Sequence, residues 1–317
     1  MKIAVLDKIA MGYDTPFELL DSLGEVIIYD STAPHEVLTH VGDAEVIVLN
    51  KVKITKETLE GAKNLKLICV FATGFDNIDV ATAKKAGVAV CNVPGYSTNS
   101  VAMFTVATVL SLVTHLKEYS DYVRIGKYSE SSTANKITPV FHELSGMTWG
   151  IVGCGNIGKA VLKLAKAFGA RVIVNKKTPS DCYECVDIDT LCMKSDIITL
   201  HCPLNDSTRE IINEKRLSLM KKSVILVNEA RGAVVNERDV ATAIKEGKIG
   251  AFGCDVYSSE PFLKSHPYYE IKDMDNVILT PHAAWGAFEA RKRCMQIICQ
   301  NIISFKNGEQ FNRVDIS

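Results

Sequence analysis

Between Met147 and Asn175 the chain reads apolar run, glycine turn, amphipathic stretch, apolar run. The turn is Gly153-Cys154-Gly155-Asn156-Ile157-Gly158. It follows Thr148-Trp149-Gly150-Ile151-Val152 and opens the stretch Lys159 to Phe168, which stops at Gly169 before Arg171 to Val174. Strand, helix and strand in this order form a βαβ unit, which needs a parallel sheet and a helical crossover. A lone G-x-G-x-x-G is more often an ordinary glycine-rich turn. Here the first glycine permits the tight turn and the second lets backbone N–H groups approach a pyrophosphate. The third lets helix and strand pack closely, and the helix N-terminus offers partial positive charge. The segment predicts a dinucleotide site carried by Gly153, Gly155 and Gly158.

The bulk numbers restrict the rest. A chain of 317 residues fits two domains of ordinary size. An apolar content of 47% against 23% charged allows large cores. A net charge of −1 gives no reason to expect nucleic acid or an anionic membrane as partner. Ten cysteines follow no repeat, and only Cys182 and Cys185 make a C-x-x-C. No second pair stands at zinc spacing, so reduced structural thiols and no metal are expected. Asp7 and Lys8 interrupt the apolar start too early for a secretory segment. Val101 to Val113 falls short of the roughly 20 residues that a membrane span needs. The expectation is a cytoplasmic chain that spans no membrane.

The first hundred residues alternate strand-like runs with helical stretches. The runs are Lys2–Leu6, Glu25–Tyr29, Glu45–Leu49, Leu67–Phe71 and Val88–Val93. The stretches are Pro16–Leu23, Pro34–Val41, Lys56–Ala62 and Asn77–Ala86. Asn99 to about Lys117 reads as one long helix, apolar on more than one face, and Tyr119 to Phe141 as surface loop with some helix. A second series follows, with six strands: Thr148–Val152, Arg171–Asn175, Ile197–His201, Ser223–Asn228, Gly250–Val256 and Asn276–Thr280. Phe288–Phe305 is a last amphipathic helix, expected to return to the first domain. The fold class is therefore α/β, with two doubly wound parallel-sheet domains. A Rossmann cofactor domain, 99–285, is inserted into a flavodoxin-like substrate domain, 1–98 plus 286–317. Hinges are expected near Asn99 and Trp285, with closure around a cofactor.

Ligands of open parallel sheets bind beyond the carboxyl ends of the strands. The runs that end there are His201-Cys202-Pro203-Leu204, Asn228-Glu229-Ala230-Arg231-Gly232, Asp255-Val256-Tyr257 with Glu260-Pro261, and Thr280 to Trp285. Singly, each polar residue has an ordinary reading. His201 and His282 could be packed histidines, Arg231 a loop corner, Glu260 a turn residue, Asp255 a cap and Lys51 a solvated charge. Together, beside a dinucleotide turn, they suit one chemistry. Reduction of a 2-keto acid builds negative charge on the carbonyl oxygen, and a cationic His282 can donate the proton. Glu260, if bonded to it, would fix its orientation and favour the cation. Arg231 can grip a carboxylate with its guanidinium fork.

These segments resemble the D-isomer-specific 2-hydroxyacid dehydrogenases over nearly the whole chain. Ala72-Thr73-Gly74-Phe75-Asp76-Asn77-Ile78-Asp79 and Asn92-Val93-Pro94-Gly95-Tyr96-Ser97-Thr98 belong to the same pattern, in the family's order and spacing. The ending Pro281-His282-Ala283-Ala284-Trp285, with Asn50-Lys51 upstream, is most similar to the glycerate dehydrogenase (hydroxypyruvate reductase) branch. The resemblance implies the same roles for His282, Glu260 and Arg231, and backbone N–H donors at Thr73 and Gly74 for the substrate carboxylate. It places Lys51 and Trp285 at the substrate, Trp285 as one wall of a small pocket. It implies cofactor contacts at Thr98, Asn156, Ile157, Asn175, Lys176, His201, Cys202, Pro203, Thr208, Glu229 and Ala230. Asp255 would hold the carboxamide. A homodimer acting on a small 2-keto acid such as hydroxypyruvate or glyoxylate is expected, with larger keto acids as the alternative.

The sequence departs from the pattern twice. The acidic residue expected about 20 residues after the glycine turn is replaced by Asn175-Lys176-Lys177. The charge of that loop favours NADP(H) over NAD(H), although Asn175 can still bond a ribose. Ser100-Val101-Ala102 is followed by Met103-Phe104 rather than a polar pair, which fits a dimer contact. Two rivals share the family pattern. Formate dehydrogenases typically carry Gln where Glu260 stands. A dinucleotide-sensing corepressor module is the alternative outside enzymology.

Overall fold

The computed structural model describes residues 1–178 and 180–316. Contacts divide them into two units, one of residues 1–97 and 286–317, the other of Thr98–Trp285. In the first unit β1 (Lys2–Val5) leads to α1 (Lys8–Met11), β2 (Glu25–Ile28) to α2 (Val37–Val41), and β3 (Val46–Leu49) to α3 (Lys56–Gly61). β4 (Leu67–Val70), α4 (Val80–Lys85) and β5 (Ala89–Cys91) complete the series. The five strands are parallel in the order β2-β1-β3-β4-β5. β3 and β4 are Val46-Ile47-Val48-Leu49 and Leu67-Ile68-Cys69-Val70, buried at every position, as central parallel strands covered on both faces must be. β2 forms the edge and is mostly exposed. The stretch read as a helix from Pro16 to Leu23 is a 3-10 turn at Phe17–Leu20.

The second unit opens with α5 (Thr98–Val113). His115 then takes a left-handed conformation, φ 51°, and α6 (Leu116–Arg124) leaves at 65°. The single helix expected to about Lys117 is thus two, and Tyr119–Arg124 is the helical part of the stretch expected as loop with some helix. β6 (Thr148–Val152), α7 (Asn156–Ala167), β7 (Arg171–Asn175), β8 (Glu184–Cys185), α8 (Ile188–Lys194) and β9 (Ile197–Leu200) follow. Next come α9 (Glu214–Leu217), β10 (Ile225–Asn228), α10 (Glu237–Lys245), β11 (Ala251–Cys254) and β12 (Val277–Leu279). Seven parallel strands lie in the order β12-β11-β10-β9-β6-β7-β8. Six are expected from the sequence; the seventh, β8, has two residues that carry no apolar run. β8 pairs with β7 through Glu184 and Cys185, and extends that edge.

One core lies under α8, α9 and α10, with Leu200, Leu226 and Phe252 at its centre. The other lies under α5 and α7, around the fully buried Trp149, whose Nε1–H donates to Thr199 Oγ1 at 3.0 Å. α11 (Phe288–Lys306) belongs to the first unit, where it packs on β4 and the turn at Phe17–Leu20. No single described helix is long and apolar enough to cross a membrane. No group of three metal-ligating side chains occurs among the described residues.

Candidate active site

The order of the second sheet reverses between β6 and β9, and the crevice of a doubly wound sheet opens where such a reversal lies. Gly153 leaves β6 at φ +87°, a conformation that disfavours a side chain. A Cβ there would stand 2.5 Å from the Cys202 nitrogen. A Cβ on Gly158 would stand 2.2 Å from the Gly153 oxygen, so helix and turn touch there. Around Gly155 nothing lies within 4 Å of an added Cβ. The first and third glycines are thus filled by protein, and the second faces open space. No side chain caps α7, so the N–H groups of its first turn, at Asn156 and Ile157, are left for an anion. This cradle fits a dinucleotide pyrophosphate.

At the end of β7 the Asn175 amide donates to Val186 O at 3.0 Å. Lys176 Nζ bonds Tyr183 OH at 3.2 Å, and that bond holds its pKa above the usual lysine value. Positions 175 to 177 carry no carboxylate. Beyond β9, Cys202 is buried, and Thr208 closes the loop by donating to Pro203 O at 2.6 Å.

Leu200, Asn228, Cys254 and Leu279 are in register across the sheet. Each is followed by a polar residue: His201, Glu229, Asp255 and Thr280. Both ring nitrogens of His201 are buried with no hydrogen-bond partner among the described residues, and burial pushes its pKa down to about 3. It is the neutral imidazole at neutral pH. Glu229 is buried, and neither oxygen has a hydrogen-bond partner among the described residues. Burial first, then the Asp255 charge, pushes its pKa up to about 9, so it is a neutral acid at neutral pH. Asp255 is fully engaged. Its Oδ1 accepts from Thr280 Oγ1 at 2.6 Å and Ala283 N at 2.8 Å, and its Oδ2 accepts from Ala284 N at 2.8 Å. These bonds hold the loop that presents His282.

His282 sits at φ 54°, a left-handed conformation costly for a non-glycine residue. The Asp255 bonds to the next two amides offset that cost. Its Nδ1 lies 2.7 and 2.9 Å from the two Glu260 oxygens. A carboxylate only accepts, so Nδ1 carries the hydrogen and Nε2 is the nitrogen left for a reactant. Glu260 is fixed in turn by the Tyr257 N–H at 3.1 Å, and Tyr257 OH donates to Thr280 O at 2.8 Å. His282 and Glu260, 22 residues apart, are thereby joined.

Arg231 follows a turn closed by Asn228, whose amide donates to Arg231 O at 2.9 Å and whose Oδ1 accepts Ala230 N–H at 3.1 Å. Arg231 Nη1 donates to Ala230 O at 2.8 Å. Gly232 then passes the Tyr257–Ser258 backbone so closely that a Cβ would lie 2.0 Å from Tyr257 C. The arginine loop and the Glu260 loop are therefore in contact. Trp285 ends this unit.

Lys51, Thr73 and Gly74 belong to the first unit. Asp7, buried at the end of β1, accepts from Asn50 N at 2.8 Å, Lys51 N at 2.5 Å and Val52 N at 3.2 Å. Asn77 Nδ2 donates to Asn50 O and Val52 O, at 3.1 and 2.7 Å. Thr73 Oγ1 donates to Val93 O at 2.8 Å, and Asn92 Nδ2 to Thr73 O at 2.7 Å. The loops that carry these three candidates are tied at their bases. Asp7 has no sequence signature of this role, because a strand-end aspartate carries no motif by itself.

Two doubly wound parallel sheets, with a phosphate cradle and a histidine–carboxylate pair in one unit, define a dinucleotide-binding α/β protein. The profile described as D-isomer specific 2-hydroxyacid dehydrogenase, NAD binding domain, matches residues 106–284. The chain is 36% identical to a hydroxypyruvate reductase of Blautia hydrogenotrophica, over 99% of this chain and all of that one. It is 36% identical to a glycerate dehydrogenase of Methylorubrum extorquens, over 90% and 91% of the two chains. Among solved structures, the acyclic imino acid reductase Bsp5, in complex with NADPH and D-Arg, is 29% identical. The two superimpose with a TM-score of 0.88 over 99% of this chain and all of that one. The chain belongs to the D-isomer specific 2-hydroxyacid dehydrogenase family.

Proposed function

We infer that this protein reduces a small 2-keto acid to the D-2-hydroxy acid with a reduced pyridine nucleotide. The observation that carries the reading is the Glu260–His282 bond on the loop that Asp255 holds. A bound reduced nicotinamide supplies the hydride. His282 Nε2 gives a proton to the carbonyl oxygen as its charge grows, and Glu260 stabilises the imidazolium. Arg231 binds the substrate carboxylate and polarises the carbonyl. In the first unit the Thr73 and Gly74 amides and Lys51 are the substrate-binding candidates. Trp285 limits the size of the substrate. Residues 99–285 hold the cofactor, and the first unit serves the substrate. Hydroxypyruvate and glyoxylate are the substrates favoured, in line with the names of the relatives above.

NADPH is the favoured reductant. The end of β7 offers Asn175 and Lys176 in place of a carboxylate that would repel a 2′-phosphate. The related imino acid reductase is in complex with NADPH. A homodimer is part of the reading. Met103, Leu116, Val123, Ile137 and Val140 leave apolar side chains exposed on α5, α6 and the segment beyond.

Absorbance at the reduced-nicotinamide band tests the core of it, with hydroxypyruvate and NADPH or NADH in parallel. Rapid oxidation supports the dehydrogenase, and the faster reductant decides the cofactor. A silent protein with hydroxypyruvate, glyoxylate, pyruvate and phenylpyruvate that still binds dinucleotide favours the sensing module. Sedimentation at micromolar concentration tests the dimer, and a monomer there refutes it.

A further inference from the structure

Outside the groups assigned above, one buried polar cluster surrounds the loop that carries Glu260. Glu237, in the first turn of α10, and His266 are nearly buried, with side chains 10% and 7% exposed. Glu237 Oε1 accepts the Ser258 N–H at 2.8 Å. Its Oε2 accepts both the Ser258 hydroxyl and His266 Nε2–H, the latter at 2.9 Å. The other ring nitrogen of His266 accepts the Tyr268 N–H at 3.2 Å, which places the hydrogen of the neutral ring on Nε2. Serine and histidine both donate to one carboxylate oxygen rather than one to the other. The trio is therefore no relay for a nucleophilic hydroxyl.

Its geometry is that of a clamp. One carboxylate ties both ends of the segment 258–266, and Glu260 lies inside that segment. Tyr257 packs edge-on against Phe262, His266 and Tyr268, and Gly232 passes close to the backbone at Tyr257 and Ser258. We propose that Glu237 is a positioning residue: it holds the 258–266 segment so that Glu260 keeps its bond to His282. This rests on the reading of His282 and Glu260 as proton donor and partner. Without the clamp the segment gains conformations, and Glu260 spends less time in the geometry His282 needs.

The test is Glu237→Gln in the full chain, with hydroxypyruvate and the preferred dinucleotide. Glutamine keeps an acceptor for the Ser258 amide and loses the one shared by Ser258 Oγ and His266. We expect kcat to fall about 10- to 100-fold. The dinucleotide Kd, from fluorescence titration, is expected to stay within about 3-fold. The alkaline limb of the rate profile should move to where Glu260→Gln puts it. In a Glu260→Gln background the second change should cost less than about 2-fold. Unchanged kcat in the folded variant, or full additivity with Glu260→Gln, overturns the proposal. If Glu237→Gln does not fold, Ser258→Ala and His266→Gln each remove one arm and enter the same cycle, with the same criteria. If the wild type turns over no 2-keto acid, the functional reading fails but the clamp is still decided. The His282 imidazole titration by NMR, assigned with His282→Asn, must then move in Glu237→Gln towards its value in Glu260→Gln. An unmoved titration overturns it.

Discussion

In each unit a buried aspartate holds a presented loop, and the two arrangements differ in what the aspartate must overcome. In the first unit Asp7 accepts three consecutive amides, Asn50 to Val52, and the loop it holds carries Lys51. In the second, Asp255 accepts one hydroxyl before and two amides after a histidine whose backbone is left-handed. The first device orders a loop. The second also stabilises an unfavourable conformation, and Tyr257 and Glu260 reinforce it. A side chain on a left-handed backbone needs more constraint than a lysine on a flexible stem.

Breaking the stronger device gives the largest effect. Asp255→Ala leaves three donors unmet and removes the support of His282, so kcat should fall by about 1,000-fold or more. Steady-state kinetics on a variant that still binds dinucleotide checks it, and a loss below tenfold would separate Asp255 from His282. Asp7→Ala should cost stability first, about 2–4 kcal/mol, because three amide donors lose their acceptor. Denaturant unfolding reads this. A larger fall in kcat than in stability would mean that Asp7 does more than order its loop.

The two units also contain acids raised by burial, and these sharpen the contrast. Three N–H donors pull the Asp7 pKa back down, and burial still leaves it above the usual value. Glu229 has no such donors and stands at about 9. A pKa raised on folding means that the native state binds a proton the unfolded state has released. Stability from Glu229 is full below pH 4.5 and falls as pH rises from 4.5 towards 9. Glu229→Gln, neutral at every pH, should therefore gain roughly 1–3 kcal/mol relative to wild type at pH 8, with the gap closing towards pH 4. Thermal melts across that range decide it, and a constant gap would place the Glu229 shift elsewhere. The smallest effect belongs to the cofactor loop. Lys176→Ala should raise the KM for NADPH about 2- to 5-fold and leave that for NADH nearly unchanged, as expected for one partly screened charge. Equal effects on both would remove Lys176 from the choice of cofactor.

The glycine turn, the two parallel series and the strand-end candidates were legible in the sequence because their causes are local. Alternating apolar runs impose strands, and Gly153 and Gly158 answer to backbone geometry and close packing that no other residue satisfies. β8 escaped because two polar residues make no pattern, and the break after Val113 because a left-handed His115 has no sequence signature.

What only the tertiary structure decided is which polar groups meet and which are left without water. Glu260 and His282 are bonded because two loops from adjacent strands converge. Asp255 is a brace because the amides of Ala283 and Ala284 arrive at its oxygens. Glu229 is a neutral acid because the sheet edge buries it beside Asp255 without a donor. Hydrogen-bond partners and desolvation depend on contacts between residues far apart in the chain, and no local pattern encodes them.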